Sequence, residues 1–243
     1  MKYSQNAILI ISLFCISIDI CGQNKYLIES ETHIFWQSNR KLLISDFQGG
    51  NPTDSKFNRD RELGRSVIPC LGIYLQVDIP KNYRKNKLEK VYFAAAFQKS
   101  CSFILNKDTS NFRDAQIQFD IYELAARIAR KYIWNMHAYM AIESDSTLID
   151  VINNNPDTIL ITGIGNIFAA KARDSAINLA NEMTYAYFKD QYLSVDSTSA
   201  SFEEWRSLVD NGLKNHERFA TKPEDCYRMV NDKPILKKYK KAK

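Results

Sequence analysis

NFRDAQIQFDIYELAARIARKY, residues Asn111 to Tyr132, is the stretch whose reading decides the fold. Stepped at about 100° per residue, it resolves into an amphipathic helix with one polar arc and two apolar stripes. Arg113, Gln116, Asp120, Glu123, Arg127, Arg130 and Lys131 fill the polar arc. Ala115, Phe119, Tyr122, Ala126, Ala129 and Ile133 form one stripe, and Ile117, Ile121, Leu124 and Ile128 the other. Asp114 and Gln118, four apart, break the pattern by pointing between the stripes into the expected core. Metal-binding helices carry two histidines at such a spacing, and neither position is a histidine here. A plainer role for Asp114 is capping: Asn111 caps the helix and Asp114, at the third helical position, is its acidic partner. Glu123 and Arg127 make an i, i+4 ion pair in the favourable orientation, worth a few tenths of a kcal/mol. The helix extends through Trp134 to about Met140.

Upstream of it the chain reads as strands. Lys25 to Glu29 and His33 to Trp36 are short and broken by polar residues; KLLISDFQGG, Lys41 to Gly50, runs from an apolar strand into a Gly-Gly turn. Asn51 to Arg65 is polar and charged, hence a loop. Leu71 to Ile79 alternates around Ile73, Leu75 and Val77 and stops at Pro80. After the basic turn Lys81 to Lys90 come Val91 to Gln98 and Ser102 to Leu105, expected as neighbours in one antiparallel sheet. Downstream, Asn153 to Asp157 is a turn and Thr158 to Thr162 a short buried strand. Ile167 to Tyr192 is helical, with Phe168, Ala172, Ala176, Leu179, Met183, Ala186 and Tyr187 on one face. Ser201 and Glu204 set a capping box on a last helix that carries Trp205, Leu208, Val209 and Leu213 inward. Strands first and helices later make this an α+β chain.

A chain of 243 residues with 45% hydrophobic content can build one large core. Residues 1–22 lie outside that core: one lysine, an apolar run from Ala7 to Ile18, then Cys21-Gly22 before polar sequence, the layout of a secretory signal peptide. The alternative is a lipoprotein signal with Cys21 lipidated, although Ile20 stands where a small residue is wanted. Export places the single domain, 23–231, in an oxidising compartment, periplasmic or outside the cell. Its three cysteines, Cys70, Cys101 and Cys226, allow one disulfide and a spare thiol, or three thiols. The net charge of +5 resides in the tail, where six lysines fall between Lys233 and Lys243 and leave the rest near −1. The tail, 232–243, reads as a solvated, disordered terminus, with contact to an anionic surface as the alternative. No second long apolar run follows residue 22, so no transmembrane helix is expected in the mature chain.

Three catalytic motifs fail on inspection. His216-Glu217-Arg218-Phe219 opens like H-E-x-x-H, but Ala220 replaces the second histidine and zinc loses its helical mount. Gly163-Ile164-Gly165 sits between strand and helix, yet Phe168 occupies the third glycine of a dinucleotide loop. No G-x-S-x-G occurs, and His33, His137 and His216 show no nucleophile to serve.

The long helix resembles the H-E-Q-x-H-F-D-I-x-E-x-x-A-R-x-x-R hallmark of secreted bacterial proteins of uncharacterised function described as zinc-dependent proteases. Gln116, Phe119, Asp120, Ile121, Glu123, Ala126, Arg127 and Arg130 match without a gap. A W-x-D-F-x-G segment of that family is met by Ile44 to Gly49, with Asp46, Phe47 and Gly49 in place and Ile44 for the Trp. A Tyr-Asp…Thr…His-Gly stretch before a Trp-bearing helix corresponds to Tyr192 to Trp205, which has no histidine. The resemblance implies a metallopeptidase-like fold: an N-terminal antiparallel sheet packed on a central helix over about 111–140, then further helices. It also implies where the chemistry is missing. Asp114 and Gln118 stand for the two histidine ligands and Ala115 for the glutamate that takes a proton from zinc-bound water. Gln is a poor neutral zinc ligand. The expectation is an exported, inactive relative with no cofactor, its vacated pocket filled by hydrogen bonds of Asp114 and Gln118 to each other and to nearby backbone. Its partner would be a protein or peptide of the envelope rather than nucleic acid. Alternatives are a hydrolase with a non-standard metal site, zinc included, drawing on Asp114, Gln118, Asp120, Glu123 and His137, or an unrelated structural envelope protein.

Overall fold

The computed structural model describes residues 28–50, 53–78, 88–106, 112–144, 154, 160–162, 165–193 and 200–231. The expected signal peptide, the basic tail, the Asn111 cap, most of the 81–90 turn, the 163–165 glycine turn apart from Gly165, and the side chain of His137 lie outside them. In chain order the elements are β1 (His33–Phe35), α1 (Asn58–Glu62), β2 (Val67–Ile68), β3 (Leu71–Asp78), β4 (Leu88–Gln98) and β5 (Phe103–Ile104). Then follow α2 (Phe112–Ser144), β6 (Leu160–Thr162), α3 (Gly165–Phe188) continued by a π turn (Lys189–Leu193), α4 (Phe202–Asn215) and α5 (Pro223–Asn231). The α+β architecture with an early antiparallel sheet and later helices is therefore present.

β4 is the spine of the sheet. It pairs antiparallel with β1 at one end (Ile34 opposite Phe97), with β6 at the other (Lys90 opposite Leu160), and with β3 along its length (Ile73 opposite Ala95). Its sequence VYFAAAF lacks the alternation of a half-exposed strand because both faces are covered. Val91, Phe93, Ala95 and Phe97 join the main core with the α2 stripes, whereas Ala94 and Ala96 bury with Phe35 and Cys226 of α5. The sheet is thus a middle layer between α2 and α5. Phe97 meets Phe119 across the α2 interface at 6.3 Å between ring centroids.

Four local readings change. KLLISDFQGG is not a strand but a 3-10 turn at Ile44–Asp46, because Asp46 folds back to accept from the Leu43 amide at 2.7 Å. The 55–62 part of the expected loop forms a 3-10 turn and α1, held by burial of Phe57 against Phe103 at 4.6 Å. β5 pairs with β2 in a separate two-stranded ribbon rather than joining the main sheet. Leu208 of α4 is exposed, and Trp205 and Val209 alone of the expected inward set are buried. The Ser201–Glu204 capping box is present as expected.

Of the two cysteine arrangements left open, the structure has the disulfide: Cys70 and Cys101 are joined, with Cys226 a buried thiol. The bridge ties the start of β3 to the turn after β4 and closes a loop with a sequence separation of 31. Loop-closure entropy for that length is on the order of 3–4 kcal/mol. Urea unfolding of the Cys70→Ser/Cys101→Ser variant should show a stability loss of about 3 kcal/mol, and reductant should lower the wild type equally while leaving the variant unchanged.

Candidate functional site

On α2 the two faces that carry chemistry have separate fates. Asp114 and Gln118 are both buried, as their place between the stripes requires. Among the described residues Asp114 makes no bond to Gln118. Its Oδ1 accepts from the Tyr187 hydroxyl at 2.5 Å and its Oδ2 from the Tyr192 hydroxyl, bringing the end of α3 and the π turn onto the start of α2. The Arg113 guanidinium lies 4.0 Å from the same carboxylate. Burial first, and then the adjacent Asp114 carboxylate, pushes both phenols well above the ordinary tyrosine value of about 10, so both remain protonated donors. The Gln118 side chain makes no hydrogen bond among the described residues. Ala115 has no exposed surface and packs within the main apolar core.

That donor set does not suit zinc. It offers one carboxylate whose two oxygens are already engaged, one neutral amide, and a methyl group where a general base would stand. Among the described residues no three His, Cys, Asp or Glu side chains converge on one point. Asp120 and Glu123, the further ligands considered for an unusual metal site, sit on the opposite arc of α2 from Asp114 and are engaged elsewhere.

The opposite arc, read from sequence as a polar side, is buried. Glu123 has no exposed surface, and Asp120, Arg127 and Arg130 have 3%, 4% and 4%. The cover comes from the segment after β1 and from the 213–221 chain, which spacing along α2 cannot reveal. Glu123 Oε1 accepts from Arg127 Nε at 2.9 Å and the Thr221 amide at 2.9 Å, while Oε2 accepts from the Thr221 hydroxyl at 2.6 Å. Arg130 stands 3.4 Å from Glu123 and donates to the carbonyls of Phe93, at 2.7 Å, and Phe219. Arg127 donates to the Leu213 carbonyl at 2.6 Å and stacks on Trp36 at 4.9 Å. One turn earlier, Asp120 accepts from Trp36 Nε1 at 2.7 Å, Gln116 Nε2 at 3.0 Å and Arg206 Nη1 at 2.6 Å. Gln116 also receives the Leu42 amide at 3.0 Å. The motif-matching Gln116, Asp120, Glu123, Arg127 and Arg130 thus clamp the chain to α2.

The other matched positions are also structural. Asp46 binds Arg40 at 2.8 Å, and Phe47 packs edge-on to Phe97 and Phe112 at 5.0 and 5.2 Å. A Cβ on Gly49 would stand 2.5 Å from the Ser102 carbonyl, so the close approach of the two backbones excludes any side chain. Trp205 donates to Asp190 at 2.7 Å and meets Tyr187 edge-on at 5.8 Å, tying α4 to the tyrosines on Asp114. His216 binds the Gly212 carbonyl at the end of α4. The His33 ring bonds the Thr32 hydroxyl at 2.8 Å through Nδ1 and the Tyr74 hydroxyl at 2.7 Å through Nε2.

Beside the clamp lies a cleft of about 730 Å³ between the segment after β1, α2 and α4. Its floor is Trp36, Gln116, Asp120 and Arg127; its walls include Lys41, Arg113, Phe202, Arg206, Asp210, Lys214 and Glu217. The sequence reading named neither the cleft nor Trp36, Lys41, Arg206 and Lys214 as site residues. A hint was available in Arg127 and Arg130 standing one and two turns beyond Glu123, more positive charge than one exposed carboxylate needs.

No family model, no curated protein and no solved structure matches the chain.

Two outcomes follow from these contacts. Glu123→Ala strands Arg127 and Arg130 in a buried setting and should cost about 3–5 kcal/mol by urea denaturation. The tyrosine pair sets a pH dependence. Its folded pKa values lie above the unfolded value of about 10, so its stabilisation is complete below that pH and declines as the pH rises further. Across pH 9–11.5 the wild-type urea midpoint should fall, and Tyr187→Phe should start lower and fall less steeply; equal slopes would refute the assignment.

Proposed function

We propose that the chain is an exported, catalytically inactive relative of the zinc-dependent proteases it resembles, acting as a binding or scaffolding module in the cell envelope. The observation that carries this reading is the state of the resemblance's three chemical positions. Asp114 is closed off by two tyrosine hydroxyls, Gln118 offers only a neutral amide, and Ala115 lies in the apolar core. A peptidase of this kind needs an open metal position and a carboxylate base beside it. Neither requirement is met by these side chains, while the fold around the helix is fully built.

Further support comes from the sheet lying against α2, as a metallopeptidase-like arrangement requires. The Cys70–Cys101 disulfide fits the oxidising compartment implied by the signal-like N-terminus. Among the described residues no helix is long and apolar enough to cross a membrane, which fits a module that docks rather than spans. The 730 Å³ cleft gives such a module a surface to bind with.

Elemental analysis of purified wild type and Asp114→Ala tests the reading. Both should carry far less than one zinc per chain after dialysis against micromolar zinc, and neither should hydrolyse a casein substrate. One tightly held zinc in the wild type, lost in Asp114→Ala, would overturn it.

A further inference from the structure

The cleft on the α2 polar arc has a built anion position. Arg127 is 4% exposed, so its guanidinium is almost wholly enclosed. Its Nε is spent on Glu123 and its Nη1 on the Leu213 carbonyl, and Trp36 fixes its plane. Nη2 has no hydrogen-bond partner among the described residues, and Arg127 forms part of the cleft floor. A planar guanidinium held through Nε and Nη1 leaves its Nη2 edge to donate to a carboxylate oxygen.

The surrounding charge points the same way. Five cationic and three anionic side chains line the cleft. Arg206 donates to Asp120 through Nη1 and to Asp210 through Nε and Nη2, so both carboxylates are hydrogen-bonded. Lys41 and Lys214 are exposed and have no ion-pair partner among the described residues, and exposed Arg113 lies over the Phe202 ring at 4.3 Å. Glu217 is the remaining anion on the rim. Positive charge therefore exceeds negative, and Trp36, Phe202 and Leu213 supply apolar contact between the charges.

We propose that this cleft holds an acidic peptide segment, with one carboxylate on the open edge of Arg127 and further acidic side chains over Lys41, Arg113 and Lys214. This deepens the binding-module reading and rests on it in one respect, that the peptide is held and not cut. A nucleic-acid backbone fits less well, because its closely spaced phosphates would meet Asp210 and Glu217 as well as the lysines. A peptide presents its carboxylates singly, and its backbone N–H groups can donate to Glu217 and Ser38. The volume lies within the roughly 300–1,000 Å³ of ligand pockets, enough for a short segment and not for a folded domain.

The test is fluorescence anisotropy with a fluorescein-labelled peptide of Glu and Leu residues, against the same peptide with Lys or with Gln in place of Glu. The protein is used as the mature chain with its disulfide intact. Binding should follow the order Glu, Gln, Lys, and should weaken as salt rises. Lys41→Glu/Lys214→Glu changes exposed residues only, and should reduce affinity for the Glu peptide on the order of tenfold or more with an unchanged thermal melt. Arg127→Lys keeps a charge beside Glu123 but lacks the second edge, and should weaken the Glu peptide while leaving its salt dependence in place. Equal binding of the three peptides, or an unchanged affinity in the lysine double variant, would overturn the proposal. Displacement of the peptide by an equal concentration of inorganic phosphate would also overturn it, revealing a simple anion hole. Mass spectrometry of the recovered peptide separates the two readings. An intact peptide supports both, whereas a cleaved peptide leaves the cleft assignment standing and removes the inactive-relative reading.

Discussion

Glu123 carries a charge at the centre of the molecule with no solvent to hold it, and the structure around α2 depends on how that charge is met. Two backbone-anchored donors from Thr221 and the Arg127 guanidinium satisfy it, with Arg130 close by. A carboxylate left unpaired there would cost several kcal/mol, so the 213–221 segment is obliged to return to the helix. The return covers the polar arc, positions α4 over Asp120 through Arg206, and starts α5 on the far face of the sheet. A buried pair of this kind adds little to stability compared with apolar residues of the same volume. Its effect is on geometry, since few alternative placements of residues 213–221 would satisfy the same donors.

The three-layer arrangement follows. β4 is apolar along both faces because α2 covers one and α5 the other, and its run of three alanines admits both layers at short range. Asp114 on the other arc performs a comparable task with tyrosines: it draws Tyr187 and Tyr192 inward, and Trp205 packs on Tyr187 to fix α4. α2 is therefore held from two sides by carboxylates whose partners come from later in the chain. Asp114 is a tie point, and the open cleft lies on the other arc.

Much of this was legible in the sequence. The two stripes of α2, the strands at 33–35 and 71–78, the 91–98 part of β4, the long α3 and the Ser201–Glu204 cap all follow from period, punctuation and capping chemistry, which are local, whereas residues 88–90, read as a turn, extend β4. The burial of Asp114 and Gln118 was also readable, because they interrupt an apolar surface. What was not legible depends on chain partners far away. The polar arc was read as the polar side of the helix because periodicity says which residues share a face, not whether another segment will cover it. KLLISDFQGG was read as a strand from its composition, but Asp46 turns the chain by taking the Leu43 amide and Arg40. The partners of Asp114 lie 73 and 78 residues away, and nothing in the spacing of α2 identifies them. The cleft is the product of three other distant contacts, Trp36 and Arg206 on Asp120 and Arg127 on the Leu213 carbonyl, which is why its lysines passed unnoticed.

Asp114 acts here as a tie point between α2, α3 and the π turn and not as a metal ligand. That role is tested most directly by a crystal structure grown with zinc, using anomalous data collected at the zinc edge. The account predicts the Tyr187 and Tyr192 hydroxyls on the two oxygens of Asp114 and no anomalous peak within bonding distance of Asp114 or Gln118. A peak coordinated by Asp114, with the tyrosines displaced or serving as ligands beside it, would contradict the account.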